Sequence, residues 1–331
     1  MATQLDLKNL KKEQVISARE LPNWRQANAR SDFKILVIGL GEIGYNNCEY
    51  MTDRGLQVEG YDIKEEAVQK ALDDEVIKCR AKDFKNYDYY VISVSTHDLQ
   101  NVLKPSLDTF FEVIRKLATE GKFGSLVAIE STITKGTSQR AFNILNHRLH
   151  VAHAPHRFYK NDKNSHGVNQ TRVLGGCDNC CTAEAIFFYE QLLGIPMRTV
   201  NSIELAELSK IVENSYRFLQ IAFVEELKTY CDLNKLDFIE LREAINTKWN
   251  IQLLEAQQGI SGHCLPKDSM MYSNVLNKTL PTTIIDSAIR ADENYKQHNK
   301  SVAAKMCKKE LPLIIPHKKE MRIASHMRNR E

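Results

Sequence analysis

The 331-residue sequence is balanced in composition and charge: 43% of the residues are hydrophobic, 26% are charged, and the formal net charge is +3. This balance excludes nucleic acid or an anionic membrane as the main partner, and no apolar run approaches the roughly 20 residues that span a bilayer. The charged N-terminus is atypical of a signal peptide, and eight cysteines in so long a chain do not indicate a disulfide framework. We therefore predict a cytoplasmic α/β protein of two domains.

The first part of the chain alternates short apolar runs with helical stretches. Residues 1–30 are polar and predict an added arm or helix. Strands are predicted at the apolar, β-branched runs 33–38, 58–61, 89–94, 126–129, 150–153, 172–174 and 197–200. Strands separated by helices predict a parallel sheet covered on both faces, so we expect a Rossmann-type, doubly wound domain over residues 31–200.

From about Asn201 onward the pattern becomes helical, which predicts an all-α domain over residues 201–310. Residues 204–233 carry apolar side chains at helical spacing without glycine or proline, which indicates one long helix. Shorter helices are predicted at 238–248 and 282–309. The basic end of the chain, residues 311–331, is predicted to be a solvated tail.

A glycine fingerprint, G-x-G-x-x-G, lies directly between the first predicted strand and a helix at Gly39, Gly41 and Gly44. Such glycines allow a tight turn and a close approach of the backbone to a pyrophosphate at the helix N-terminus. Asp62 ends the second strand 18 residues later, where a carboxylate can bind both ribose hydroxyls. Because that charge would repel a 2′-phosphate, the sequence favours NAD over NADP, although Lys64 would attract such a phosphate. The alternative is a glycine turn without a ligand.

The expected cofactor site also includes residues that flank the fingerprint and follow the third and fourth predicted strands. These residues are Glu42, Ile43, Lys64, Val94, Ser95, Thr96, Glu130, Ser131 and Thr132.

Lys210 and Asn214 are four residues apart on the long predicted helix and therefore share one face. A lysine and an amide beside an apolar stripe need polar partners, and together they could stabilise an oxygen whose charge changes during hydride transfer. The alternative is a lysine that reaches solvent and a surface asparagine. The buried side of this helix is expected to be marked by Leu205, Leu208, Ile211 and Val212.

Cys264 lies in a segment with two glycines before it, Gly259 and Gly262, and a proline after it. The neighbouring His263 and Lys267 could lower the pKa of the thiol towards the reactive thiolate. A single cysteine is more often structural, but this context favours a nucleophile.

These features follow one another in an order that resembles the nucleotide-sugar dehydrogenases, a family that includes UDP-glucose, GDP-mannose and UDP-N-acetylmannosamine dehydrogenases. The resemblance extends from about Phe33 to Asn299. Its motifs are the fingerprint, Glu-Ser-Thr at 130–132 with Gly-Thr at 136–137, Val-Leu-Gly-Gly at 173–176, the helix 204–214, Gly-His-Cys-Leu-Pro-Lys-Asp at 262–268, and Ala-Asp-Glu-Asn at 291–294.

The resemblance implies that a sugar's primary alcohol is oxidised to a carboxylate with two NAD, as in polysaccharide precursor biosynthesis, by a homodimer joined through the central helix. It implies that Cys264 captures the intermediate aldehyde as a thiohemiacetal, which becomes a thioester that water hydrolyses. Lys210 and Asn214 would stabilise the oxygen, Asp268 would handle protons, and Thr132 would position the water. The substrate is expected to contact Lys210, Asn214, Lys248, Gly259 and Gly262.

Three departures from the family pattern stand out. Where the family has Pro-Glu, this chain has Pro155-His156; His156 is a candidate catalytic residue because it can exchange protons near neutral pH, but it lacks a fixed negative charge. Ser261 replaces a glycine in the cysteine loop. The residues after Asn299 are too few for the family's second nucleotide-binding domain, so we expect a short member without it.

Three closely spaced cysteines, Cys177, Cys180 and Cys181, receive no role from the family. Their two-residue gaps and the absence of a second pair nearby are unlike a zinc site, so no metal is expected.

Two other functions remain open. One is a two-electron 3-hydroxyacid-type dehydrogenase, which would use Lys210 and Asn214 but does not need Cys264. The other is a non-catalytic NAD-binding protein.

Overall fold

The computed structural model describes residues 33–98 and 100–309, so the predicted N-terminal arm (1–30) and basic tail (311–331) lie outside the described residues. The strands are β1 Lys34–Ile38, β2 Gln57–Tyr61, β3 Cys79–Arg80, β4 Tyr89–Ile92, β5 Leu126–Ile129, β6 His150–His153, β7 Arg172–Gly176 and β8 Met197–Thr199. The helices are α1 Glu42–Thr52, α2 Glu65–Asp73, α3 Asp108–Glu120, α4 Thr137–Ile144, α5 Lys163–His166, α6 Asn179–Ile186, α7 Ile203–Asn234, α8 Phe238–Asn246, α9 Cys264–Leu276 and α10 Ile284–Lys309.

The eight strands form one sheet in the order β3-β2-β1-β4-β5-β6-β7-β8. Its neighbouring strands are parallel except β6 and β7, where Ala152 pairs with Gly176 in antiparallel register. The sheet is thus mostly parallel, as predicted, and departs from the predicted parallel arrangement only at this pairing. A parallel return requires a crossover, usually a helix, and the connection 154–171 contains only a 3₁₀ turn and the four-residue helix α5.

The sheet is covered on both faces, as the Rossmann-type prediction requires. Along β1, Ile35 and Val37 belong to one hydrophobic cluster, with α1 and α2, while Leu36 and Ile38 belong to the other, with α3 and α4. This alternation follows from the two-residue period of a strand. The crossings place the carboxyl ends of β1, β4 and β5 along one edge of the sheet, where the glycine fingerprint begins.

The long helix α7 is the centre of the helical part and packs against α9 and α10. The structure corrects the predicted burial of its faces. Ile211 is buried, but Leu205 and Val212 are exposed. An apolar stripe is therefore solvent-exposed along this helix, and it comprises Leu205, Val212, Tyr216, Phe223, Tyr230 and Leu233.

None of the described helices combines the length and the apolarity needed to cross a membrane. Seven of the eight cysteines are described with their side chains, and none of these seven forms a disulfide.

Candidate functional site

The glycine fingerprint forms the predicted turn from β1 into α1. Gly39 has φ +94°, and a Cβ there would lie 2.7 Å from the carbonyl oxygen of Ser93, so only glycine fits this position. A Cβ on Gly44 would lie 1.7 Å from the carbonyl oxygen of Gly39. Gly41 is the N-cap of α1, and its missing side chain would point into open space. The turn therefore presents bare backbone at a helix N-terminus, which suits a pyrophosphate.

Asp62 lies beside this turn, as the spacing predicted. Its carboxylate accepts hydrogen bonds from the backbone N–H of Leu40 at 2.7 Å and of Lys64 at 2.8 Å. The carboxylate is thus fixed next to the glycine loop at the end of β2, in the position from which a ribose diol can be bound. The side chain of Lys64 is exposed.

Replacing Gly41 with alanine is expected to weaken NAD binding by at least about tenfold, because the new methyl group occupies space that the pyrophosphate needs. The free protein should lose less than about 1 kcal/mol of stability, the usual range for a change at an N-cap. Gly55→Ala is the matched control: it strains a turn with φ +76° but lies away from the fingerprint, so stability should fall while NAD affinity stays unchanged. Calorimetric titration and thermal unfolding separate the two effects.

Glu130 and Ser131, expected to bind the cofactor, are instead tied into the protein. The Glu130 carboxylate is buried, accepts hydrogen bonds from Asn47 at 2.7 Å and from the hydroxyl of Tyr189 at 2.9 Å, and forms an ion pair with Arg172 at 2.8 Å. The Ser131 hydroxyl donates to the carbonyl of Val94 at 2.7 Å. These contacts join the ends of β4 and β5 to α1 and β7, so both side chains support the site rather than face a ligand.

His156 lies in the same buried network, which does not fit proton exchange near neutral pH. Burial and the charges of Arg172 and Lys210 hold the pKa of His156 well below its usual range, so the ring is neutral. Its Nδ1 accepts from the backbone N–H of Phe158 at 3.1 Å, and its Nε2 lies 3.0 Å from Oδ1 of Asn47 and 2.9 Å from Nη2 of Arg172. A neutral ring with hydrogen on Nε2 satisfies Phe158 and Asn47 but cannot accept from Arg172.

Asp268 is at the centre of a second buried cluster, directly after the cysteine loop. Its carboxylate forms an ion pair with Lys267 at 2.8 Å and accepts a hydrogen bond from the side-chain amide of Asn214. Lys267 also donates to Oγ1 of Thr96 at 3.1 Å, which connects α9 to the end of β4. The structure thus brings together three predicted site residues, Asn214, Asp268 and Thr96, and adds Lys267.

Cys264 is the first residue of α9 and its side chain is exposed. The predicted lowering of its pKa was wrong. Loss of surrounding water and the charge of Asp268 raise the pKa of the thiol, and these effects outweigh the opposing charges of Lys210 and Lys267. Glu42, at the start of α1, also raises it. Cys264 therefore lies within electrostatic reach of both Lys210 and the fingerprint helix, and it is a protonated thiol at neutral pH.

The start of the cysteine loop is held by charged residues of α10. Asp292 accepts a hydrogen bond from the backbone N–H of Ile260 at 2.9 Å, and Lys296 donates to the Ile260 carbonyl at 2.8 Å and pairs with Asp292 at 2.6 Å. Gly259 has φ +103°, and a Cβ there would lie 2.6 Å from the side chain of Lys296. Gly259, an expected substrate contact, is thus required by the packing of this loop.

Glu225 of α7 is buried beside this clamp. Burial, and next the charge of Asp292, raise the pKa of Glu225 to about 8 from 4.5, against the opposing charge of Lys296. Because the folded protein holds this proton more tightly than the unfolded chain, the stability gained from it is full below pH 4.5 and is lost as the pH rises to about 8.

We expect the free energy of unfolding of the wild-type protein to decrease between pH 5 and pH 8, and the Glu225→Gln variant to lose much of this dependence. Urea titrations across that range measure it. Glu226→Gln changes the adjacent, exposed carboxylate and should keep the wild-type profile. Equal profiles for all three proteins would contradict a raised pKa at Glu225.

The structure does not bring all predicted residues to Cys264. Lys248 is exposed in the turn after α8. Helix α8 packs near Cys231 of α7, and Cys231 lies roughly 30 Å from Lys210 along the axis of α7. Gly262 is exposed two residues before Cys264. Thr132 is half-buried after β5. The remaining predicted cofactor residues lie along the edge where β1 and β4 end, and they are Ile43, Val94 and Ser95.

One residue that holds the two parts of the chain together was not predicted from the sequence. Glu207 of α7 is fully buried and accepts hydrogen bonds from the backbone N–H groups of Gly136 at 2.6 Å and Ser138 at 2.7 Å. It therefore caps the N-terminus of α4 from the other domain. A glutamate on the buried side of α7 was the available signal, since such a charge needs a partner.

The two parts of the chain match two known protein-family models. Residues 34–155 match the NAD binding domain of 6-phosphogluconate dehydrogenase. Residues 204–294 match the central domain of the UDP-glucose/GDP-mannose dehydrogenase family. The second match begins with α7, after the last strand, and residues 156–203, which include β7 and β8, lie between the two matches.

Individual relatives agree with these matches. A UDP-N-acetyl-D-mannosamine dehydrogenase of Methanococcus maripaludis is 26% identical over 282 residues, which cover 79% of this chain and 65% of the relative. An NDP-N-acetyl-D-galactosaminuronic acid dehydrogenase of Ralstonia nicotianae is 28% identical over 271 residues, or 72% of this chain and 64% of the relative. The chain thus spans about 65% of the length of such relatives.

Solved structures of dehydrogenases also resemble this chain in fold. The UDP-D-ManNAc dehydrogenase of Pyrococcus horikoshii superposes with a TM-score of 0.72 at 25% identity, covering 84% of this chain and 72% of that one. A 3-hydroxyisobutyrate dehydrogenase of Mycobacterium tuberculosis, at 14% identity and a TM-score of 0.61, shares the fold. With an NAD-binding domain at residues 34–155 and the central domain of the UDP-glucose/GDP-mannose dehydrogenase family at residues 204–294, the chain is related to the nucleotide-sugar dehydrogenases.

Proposed function

We propose that the protein oxidises the primary alcohol of a nucleotide-activated sugar to a carboxylate, with NAD as the oxidant and Cys264 as the nucleophile. The observation that carries the proposal is the exposed Cys264 thiol beside the buried cluster of Lys267, Asp268 and Asn214, within electrostatic reach of the fingerprint helix. Because the relatives are a UDP-N-acetyl-D-mannosamine dehydrogenase and an NDP-N-acetyl-D-galactosaminuronic acid dehydrogenase, nucleotide-linked N-acetylhexosamines are the first choice of substrate.

The fingerprint turn and Asp62 fit NAD, because bare glycine backbone and open space at Gly41 meet a fixed carboxylate. When bound, NAD supplies the hydride acceptor for two successive two-electron oxidations. The sulfur of Cys264 adds to the carbonyl carbon of the intermediate aldehyde, forming a C–S bond, and the thiol proton passes through Asp268 to the new hydroxyl. Lys210 and Asn214 stabilise the oxygen as its charge changes.

The thiohemiacetal loses two electrons and two protons, as a hydride from its carbon and a proton from its hydroxyl, to give a thioester. Water then adds to its carbonyl carbon, the C–S bond breaks, and the thiol regains a proton while the carboxylate leaves. Since the free thiol is protonated at neutral pH, its proton must be removed during the addition, which assigns Asp268 a direct role. A thiol that must stay reduced suits the cytoplasm, where we place the reaction.

The number of NADH formed per substrate tests this function. The full chain is supplied with excess NAD and limiting UDP- or GDP-linked sugars, beginning with the N-acetylhexosamines. Two NADH per sugar, with the uronate as product, supports the proposal. One NADH, together with an active Cys264→Ala variant, would favour the two-electron 3-hydroxyacid-type reaction. NAD binding without turnover on any of these sugars would favour the non-catalytic alternative.

We also propose a homodimer formed through α7, supported by the exposed apolar stripe on that helix, because large apolar surfaces of this kind are usually covered by a partner. Tyr216 and Phe223 are 64% and 59% exposed. The double variant Tyr216→Glu, Phe223→Glu should sediment as a monomer at micromolar concentration, whereas the wild type and the control Phe123→Glu should sediment as dimers. A monomeric wild type would refute the proposal.

A further inference from the structure

A second group of chemically reactive side chains lies away from the proposed catalytic site. It consists of His150, Asp178, Cys180 and Cys181, whose imidazole nitrogen, carboxylate oxygen and sulfur atoms all lie within 4.8 Å of one another. His150 begins β6 and pairs with Leu126 at the start of β5. It therefore lies at the edge of the sheet opposite the carboxyl ends of the strands, where the fingerprint and Cys264 are found.

We infer that these four side chains form a structural zinc site. Four ligands of the types His, Cys and Asp make a closed tetrahedral zinc site. With the usual bond lengths, a thiolate and an imidazole on one zinc ion lie roughly 3.6 Å apart. In the structure, Sγ of Cys180 lies 3.4 Å from Nδ1 of His150. The sulfur ligands favour zinc over magnesium or calcium.

The surroundings hold the ligands in place. Oδ1 of Asp178, the N-cap of α6, accepts from the backbone N–H of Cys181 at 2.7 Å and from the thiol of Cys180 at 3.0 Å. The backbone N–H of Val151 donates to the sulfur of Cys181 at 3.3 Å. N–H donors to a metal-bound thiolate stabilise its negative charge, as outer contacts of metal ligands do. Asp178 and Cys180 are exposed, so an ion can reach the cluster from solvent.

A divalent cation at the cluster would be bound by the thiolates of Cys180 and Cys181, so its binding should release their two protons. No metal was expected from the spacing of the cysteines alone. In the folded chain, His150, which is distant in sequence, completes the set of ligands.

The site would fasten the start of α6 to the first residue of β6. Its consequence is conformational stability, and it should leave NAD affinity unchanged because it lies at the opposite edge of the sheet. The inference is thus independent of the proposed enzymatic function.

The test measures zinc in the purified full chain after equilibration with zinc and removal of excess ion. We expect one zinc per chain, two protons released on binding, and visible bands typical of tetrahedral thiolate coordination when cobalt replaces zinc. Cys180→Ser and His150→Gln should each weaken zinc binding by at least about tenfold. Cys79→Ser, Cys177→Ser and Cys264→Ser should bind zinc like the wild type.

Three results would overturn the site: less than a tenth of an equivalent of zinc in the wild type, full retention of zinc in both ligand variants, or a disulfide of Cys180 in place of a bound ion. Circular dichroism confirms that each variant is folded. Because Cys180 is exposed, its serine variant should keep the native fold without metal.

Discussion

Replacing Cys264 with serine is expected to decrease the rate of uronate formation by at least about 10³-fold, because a serine hydroxyl at this position has no base strong enough to make it a comparable nucleophile. Cys264 is exposed at the start of α9, so the substitution should leave the thermal unfolding temperature within a few degrees of the wild type. NADH formation and product analysis measure the rate.

Cys79→Ser is the matched control, since it replaces another exposed cysteine. Cys79 lies in β3, an edge strand of the sheet. Its rate should equal that of the wild type. A Cys264→Ser protein that still forms the uronate at a wild-type rate would exclude the thiohemiacetal route.

The second large effect is expected from Asp268→Asn. The substitution keeps the shape of the side chain but removes the charge that faces the buried ammonium of Lys267. Breaking a buried ion pair from one side costs about 3–5 kcal/mol, because the remaining charge is left without compensation. Loss of the proton acceptor for Cys264 should also decrease the rate by about 10²-fold. Urea unfolding and NADH formation report the two effects separately.

Asp232→Asn makes the same chemical change in an ion pair on the surface of α7, where Asp232 faces Lys228. Such pairs contribute about 0–1 kcal/mol, and Asp232 is remote from the cysteine loop. This variant should therefore differ little from the wild type in stability or rate. If both asparagine variants were equally stable, the Lys267–Asp268 pair would not be the buried contact that the structure shows.

Most of the fold could be predicted because buried strands and helices carry apolar residues in local patterns that are visible in the sequence. Apolar runs marked seven of the eight strands, and the long breaker-free stretch marked α7 to within one residue at each end. Strand β3 was missed because it is only two residues long and exposed. The direction of β7 was missed because it depends on the path of residues 154–171, which no local pattern records.

The arrangement of the candidate site was easiest to predict where one motif supplies several residues. Asp62 lies beside the fingerprint turn and Asp268 follows Cys264 on α9 because their spacing is fixed by the chain. The partners of Glu130 were not found, since Arg172 reaches it only through the pairing of distant strands. The pKa of Cys264 was assigned the wrong direction because nearby cations were counted without the burial and the carboxylate that outweigh them.

Polar contacts cross from the helical part of the chain to the sheet domain at three places among the described residues: Lys267 with Thr96, Glu207 with the start of α4, and Glu213 with Arg157. Ile203, the first residue of α7, also packs in the same hydrophobic cluster as β4 and β5. A rotation of the helical part that opens the cleft would have to break one or more of these contacts, two of which are buried. Cys264 is only three residues from Lys267, so we expect it to move little relative to the end of β4 while a ligand enters or leaves.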